Sequence, residues 1–164
     1  MKQLLQQYAA YNYWANLKLL EYLLQINEES LSKEIGGSFP NIFKNMLHLW
    51  EAEAIWWQRL KLAEHVINPA ETFDGDFEDL SKKLLRQSGD WDQWVKNANE
   101  AALSHVFAYR NSKKEQFKQP VSEVLIHLFN HQSYHRGQVI SQLRILGFEK
   151  IPATDFIIFT RKKS

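Results

Sequence analysis

The sequence predicts an all-α fold, a four-helix bundle. Four long stretches repeat apolar residues at helical spacing, the segments between them are polar and broken by Gly or Pro, and one stretch carries histidines at four-residue intervals. The first helix is expected from Lys2 to Ile26, where Leu4, Leu5, Tyr8, Ala9, Tyr11, Ala15, Leu19, Tyr22, Leu23 and Ile26 form one stripe without Gly or Pro. Gly36-Gly37-Ser38-Phe39-Pro40 then breaks the pattern and offers Ser38 as a cap. A second stripe follows through Ile42, Met46, Leu49, Trp50, Ala54, Trp57 and Leu60. The polar connection Val66 to Gly75 leads to a third stripe, Phe77, Leu80, Leu84, Ser88, Trp91, Val95, Ala98 and Ala102, with Gly89 inside it as a candidate bend.

Between the third and fourth helices, His105–Tyr109 and Glu115–Gln119 flank the polar turn Asn111-Ser-Lys-Lys114, which suggests a small β-hairpin. After Pro120 no breaker except Gly137 interrupts the chain up to Leu146, and Gly147 stands where a left-handed C-cap belongs. The tail from Phe148 to Ser164 reads as a short helical or extended cover. Residues 1–164 are expected to form one domain.

Twenty Lys and Arg against nineteen Asp and Glu leave a net charge of +1, so no basic excess points to nucleic acid. The absence of Cys excludes disulfides, thiolate ligands and a cysteine nucleophile, and any thiol chemistry needs an external thiol. The amino-terminal residues follow amphipathic periodicity rather than a signal-peptide pattern, and no apolar window is long enough to span a membrane. A cytoplasmic protein without a membrane partner is expected. Trp50, Trp56 and Trp57 are assigned to core or subunit interface ahead of a pocket lining.

The run His127-Leu-Phe-Asn-His131-Gln-Ser-Tyr-His135 places imidazoles four residues apart, about 6 Å up a helix axis and within roughly 40° of one another, close enough to share an ion. His127 and His135 stand about 12 Å apart along the axis, too far to chelate together. Only a neighbouring pair can, and a third ligand must come from elsewhere. His48, on the second helix, completes a three-imidazole set with His131 and His135, leaving coordination positions open. A solvated or core-satisfied pair is the plainer alternative for His131 and His135, and His65 and His105, each near an element end, are read as hydrogen-bonded core residues.

Rival chemistries lack their signatures. There is no His-Glu-x-x-His, no Glu-x-x-His pair, no phosphate-cradling Gly-rich loop and no Gly-x-Ser-x-Gly elbow. Glu51 reads first as a surface carboxylate and second as an outer partner of His48. Arg136 and Gln138, turned away from His135, read as structural residues facing neighbouring elements. Gly137 marks either a close helix approach or a tolerated glycine.

Three segments carry a resemblance to a known family. Tyr11-Asn-Tyr-Trp-Ala-Asn16, His48-Leu-Trp-Glu-Ala-Glu53-Ala-Ile-Trp56 and Asn130-His131-Gln-Ser-Tyr-His135-Arg-Gly-Gln138 resemble the DinB/YfiT-like family of metal-binding bundles, which is distinct from the polymerase of similar name. The terminal Asp155-Phe-Ile-Ile-Phe159 is similar to the family's ending, so the likeness spans nearly the whole chain. It implies a right-handed-crossover four-helix bundle, often a homodimer. It also implies a divalent ion, nickel or zinc first and iron as an alternative, on histidines that map to His48, His131 and His135. Relatives with known activity are thiol-dependent isomerases and S-transferases acting on small molecules. The resemblance therefore implies a metal-dependent enzyme using a low-molecular-weight thiol. Metal-dependent hydrolysis and a nonenzymatic, stress-related metal-binding or interaction bundle stand as alternatives, because family membership does not fix substrate.

Overall fold

The computed structural model describes residues 1–111 and 113–161. Four long helices form the body: α1 (Lys2–Leu23), α3 (Ile42–Leu60), α4 (Phe77–Asn97) and α6 (Val121–Ile145). Short helices α2 (Glu28–Ser32), α5 (Glu100–Ser104) and α7 (Phe156–Thr160) lie between or after them, and β1 (Val106–Arg110) and β2 (Gln116–Pro120) make an antiparallel hairpin. Each long helix packs on two others: α1 and α3 both touch α4 and α6. Thus α1 lies diagonal to α3, and α4 to α6, so consecutive long helices are not always neighbours. No helix among the described residues is long and apolar enough to cross a membrane.

The boundaries correct several sequence expectations. The first helix stops at Leu23 rather than Ile26, where Gln25 and Ile26 N–H groups bond to the carbonyls of Tyr22 and Leu23, three residues back, and tighten the chain into a turn. Asn27 then caps α2 by accepting from the Ser30 amide at 2.8 Å. Ser38 is not the cap of α3. That role belongs to extended Asn41, whose side chain accepts from the Lys44 amide at 2.8 Å, while Gly36 and Gly37 at φ +76° and +104° turn the chain before it. The expected third helix divides at Ala98, which is extended, and Asn99 caps α5. Gly89 does not interrupt α4; a side chain there would meet Tyr13 at 3.6 Å. The hairpin pairs Val106 with Pro120 through Arg110 with Gln116, each strand lying one residue further along the chain than the expected run.

Two apolar clusters fill the bundle. One centres on Leu19, Met46, Leu80 and Val139, the other on Leu5, Trp91, Leu125 and Phe129. Polar groups from all four long helices also meet in the interior. Arg136 is 1% exposed, and its Nη1 donates to Asn12 Oδ1 (2.7 Å) and Asn16 Oδ1 (2.9 Å). The same asparagines turn their Nδ2 groups toward the fully buried Glu53, Asn12 at 2.7 Å and Asn16 at 3.3 Å. Ser88 donates to that carboxylate, and Trp91 Nε1 donates to the Glu53 carbonyl at 3.2 Å. Two asparagines therefore bridge a buried cation to a buried carboxyl. Burial pushes the Glu53 carboxyl up to about 7, against the pull of Asn12, Ser88, Arg136 and Asn16; burial likewise lowers Arg136.

Breaking such a bridge strands a charge or its partners in the core. Arg136→Met is expected to lower stability by about 3–5 kcal/mol. Arg136→Lys should not restore it, because an ammonium cannot reproduce the guanidinium fork that reaches both asparagines. Urea denaturation checks this, and a loss below about 1 kcal/mol for Arg136→Met would contradict the bridge's role.

Candidate metal centre

His48 comes from the middle of α3, and His131 and His135 from successive turns of α6, two helices in direct contact. Register between them is set by buried polar ties. Gln132 Nε2 donates to the Leu49 carbonyl at 2.8 Å, one residue from a histidine on each helix, and Asn45 Nδ2 donates to Gln142 Oε1 at 3.3 Å. The result brings His48, His131 and His135 together so that one nitrogen of each lies within 4.8 Å of the other two. His48 Nε2 and His131 Nε2 are 3.2 Å apart, and the three ring centroids are separated by 4.3 to 5.0 Å.

Acceptors fix two of the rings. Glu51 Oε2 lies 2.8 Å from His48 Nδ1, and Gln138 Oε1 lies 3.0 Å from His135 Nδ1. Each acceptor calls for a proton on Nδ1, which leaves the Nε2 lone pairs of His48 and His135 directed into the cluster. Converging lone pairs repel unless a cation or proton lies between them. Two nitrogens bound tetrahedrally at 2.0–2.1 Å would stand about 3.3 Å apart, close to the spacing of His48 and His131. His131 Nδ1 is buried without a hydrogen-bond partner, so no competing contact commits its ring to another role. The donor set and spacing fit a divalent transition metal.

The surroundings favour the neutral form of both α6 imidazoles, His131 and His135. Burial, then the neighbouring His135, His48 and His127, pull His131 down to about 4, and burial with His48 lowers His135 despite its bond to Gln138. Neutral imidazole is the form that binds metal. Phe39, from the segment before α3, covers one side, with its ring centroid 4.6 Å from His48 and 5.5 Å from His135. Its loop is tied to α6 by Gln142 Nε2 on the Phe39 carbonyl and by Gln138 Nε2 on Ser38 Oγ. On another side His127 stacks edgewise on Trp56 at 5.6 Å, next to His131 but outside the three-nitrogen cluster.

Several of these residues were misread or missed in the sequence. Glu51 is a half-buried partner of His48, held in turn by Asn68 Nδ2 at 2.6 Å, rather than a free surface carboxylate. Gln138 does reach His135, because a residue three positions on lies within one helix sector of it. Arg136 is structural as expected. Gly137 marks no close approach, since a side chain there would meet nothing within 4 Å. His65 and His105 are exposed rather than core residues, and neither belongs to the three-nitrogen cluster. Phe39 carried no sequence signal. The spacing of Glu51 from His48 and of Gln138 from His135, three residues in each case, could have identified both partners.

The DinB family model matches residues 1–162. The chain belongs to the DinB family. It is also 27% identical over 158 residues to Protein DinB of Bacillus subtilis (strain 168), a match covering 91% of this chain and 89% of that relative.

The low His131 pKa carries a stability signature in the metal-free protein. Between about pH 6.5 and 4 the unfolded chain takes up a proton that native His131 refuses, so its contribution to stability falls as pH drops through that window. Glu53 acts oppositely. Its raised pKa makes its contribution largest below about 4.5 and diminishes it as pH rises through 7. The two offset each other in wild type, so His131→Ala should gain stability relative to wild type as pH is lowered from 6.5 to 4.5. Urea denaturation in chelator across this range checks the sign, and parallel profiles would contradict it.

Proposed function

We propose that this DinB-family protein binds one divalent transition-metal ion through Nε2 of His48, His131 and His135, with nickel or zinc the first candidates and iron the third, and uses it in a thiol-dependent transfer or isomerisation of a small molecule. The observation that carries the reading is the convergence of three imidazole nitrogens, two with Nδ1 held by acceptors. Bound there, a divalent ion supplies Lewis acidity and brings the pKa of a thiol or water in an open position toward neutrality. Glu51 and Gln138 orient the rings, and Phe39 covers the flank of His48 and His135 against water. In a transfer, the thiol sulfur bonds to an electrophilic carbon, the leaving group departs with its electron pair, and the thiol proton passes to solvent. Because the chain has no Cys, the sulfur comes from a free low-molecular-weight thiol, which fits a cytoplasmic setting.

Metal-dependent hydrolysis is supported by the same open positions and is distinguished by turnover without thiol. A nonenzymatic metal-binding or interaction role, stress-related or otherwise, is supported by the cluster's hydrogen bonds, which among the described residues include no general acid or base apart from Glu51. Elemental analysis of tag-free protein is expected to find about one transition metal per chain, lost in His48→Ala and His131→Ala, with affinity weakened roughly 10–100-fold in Glu51→Gln. The metal-loaded protein should consume glutathione or 2-mercaptoethanol with a chloronitroaromatic electrophile and stop on chelation. Metal retained in both histidine variants would reject the ligand set. Metal bound without thiol-dependent turnover would reject the reaction.

The homodimer rests on a separate surface. Met1, Leu4 and Ile126 leave apolar side chains exposed around a groove of about 470 Å³ that Phe156 of α7 also lines, and burying it against a second copy removes that area from water. Sedimentation equilibrium should report a dimer that Leu4→Glu with Ile126→Glu turns into a monomer, and an unchanged mass would place any dimer elsewhere.

A further inference from the structure

The face of α3 that carries His48 continues through Glu51, Ile55 and Arg59, since steps of three and four residues hold side chains within one sector of a helix. Glu51, Ile55 and Arg59 of this sector line a cavity of about 910 Å³, enclosed further by the loop after α3 and by hairpin residues from Ala108 to Asn111 with Lys114 and Gln116. Glu51 belongs to both places, with one oxygen on His48 and its side chain in the cavity wall.

Three cations line this cavity: Arg59, Arg110 and Lys114. None forms an ion pair with a carboxylate among the described residues. The acidic groups nearby are turned to other contacts. Glu51 is engaged by His48 and Asn68, Glu64 lies 3.9 Å from His65, and Glu71 accepts from Asn68 at 3.5 Å. Arg59 is the most enclosed of the three cations. Its guanidinium carbon lies 4.5 Å from the Trp56 ring centroid and 5.5 Å from that of Tyr109, and its Nε is buried without a hydrogen-bond partner. Aromatic faces hold the plane of the fork but satisfy none of its N–H donors, which leaves a preorganised cation facing an open volume.

We propose that this cavity binds a small organic anion whose carboxylate or phosphate group sits on Arg59, with Arg110 and Lys114 adding charge and Ile55 receiving the apolar body. A guanidinium fork matches both groups through paired charge-assisted hydrogen bonds. From Arg59 back to His48 is about 16 Å of helix, shortened by the lean of long side chains toward the helix N-terminus, so an elongated molecule anchored at Arg59 presents its other end to Glu51 and the histidine cluster. That placement of the reacting end rests on the metal-centre reading above. The anion binding itself does not.

Calorimetric titration of the whole chain, both metal-free and zinc-loaded, tests the proposal with benzoate, succinate and phenyl phosphate, each against a neutral counterpart: benzamide, succinamide and phenol. At least one anion should bind wild type, and its neutral counterpart should bind at least tenfold more weakly. Arg59→Gln should weaken the anion at least tenfold, Arg59→Lys should recover part of the loss, and the exposed Lys18→Gln on α1 should change nothing. The double variant Arg110→Gln with Lys114→Gln, at surface positions, should weaken binding without altering the core. Preference for the carboxylates or for phenyl phosphate assigns the anionic group. Binding should persist in His131→Ala, so loss of the metal reading leaves the anion site standing. Equal binding of anions and neutral counterparts, no anion binding to wild type at 10 mM, or full binding by a folded Arg59→Gln would overturn the proposal. So would binding that is lost in His131→Ala but kept in Arg59→Gln, because the anion would then sit on the histidines.

Discussion

A guanidinium buried among four helices depends on partners inside the protein, and Arg136 takes them from Asn12, Asn16 and Ser133, the two asparagines in turn binding Glu53 and Asn16 also Ser88. Asn12 and Asn16 come from α1, Glu53 from α3, Ser88 from α4 and Arg136 from α6. Apolar side chains tolerate small sliding of one helix on another, whereas a two-sided asparagine bridge does not. Arg136 follows His135 directly, and Glu53 lies five residues beyond His48, so the restraint that satisfies the core also aligns the imidazoles.

The site's chemistry follows from that alignment together with the acceptors behind the rings. An imidazole has two nitrogens, and what the outer one is bonded to decides what the inner one can do. Glu51 and Gln138 occupy the outer nitrogens of His48 and His135, and burial, with the neighbouring histidines adding to it, keeps His131 unprotonated well below neutral pH. The α6 pair thus favours neutral donors over mutually repelling imidazolium rings. Asn68 extends the arrangement by fixing the second oxygen of Glu51, which couples the loop after α3 to the orientation of His48.

The bundle was legible in the sequence because long amphipathic helices write their periodicity over many turns, and the three histidines because four-residue spacing is a geometric statement. The finer boundaries were less visible. Asn41 and Ser38 are both capable caps, and the choice between them depends on glycines at positive φ that turn the chain earlier. Asn99 splits the third helical stripe because its side chain satisfies a free amide that continuation of the helix would otherwise have bonded. The polar core was harder still. Asn12, Asn16 and Glu53 sit at positions the helical period assigns to the interior, yet nothing local names partners from helices distant in sequence. Glu51 read as a surface residue because its bonds to His48 and Asn68 depend on a loop packed against α3.

X-ray absorption at the metal edge of zinc-loaded protein tests the central claim most directly, because it counts the ligands rather than inferring them. Three imidazole nitrogens at about 2.0–2.1 Å, with one or two exchangeable oxygen scatterers from water beside them, are expected. A shell with fewer than three imidazoles, or one dominated by carboxylate oxygen, would show that the convergence of His48, His131 and His135 does not form the metal centre.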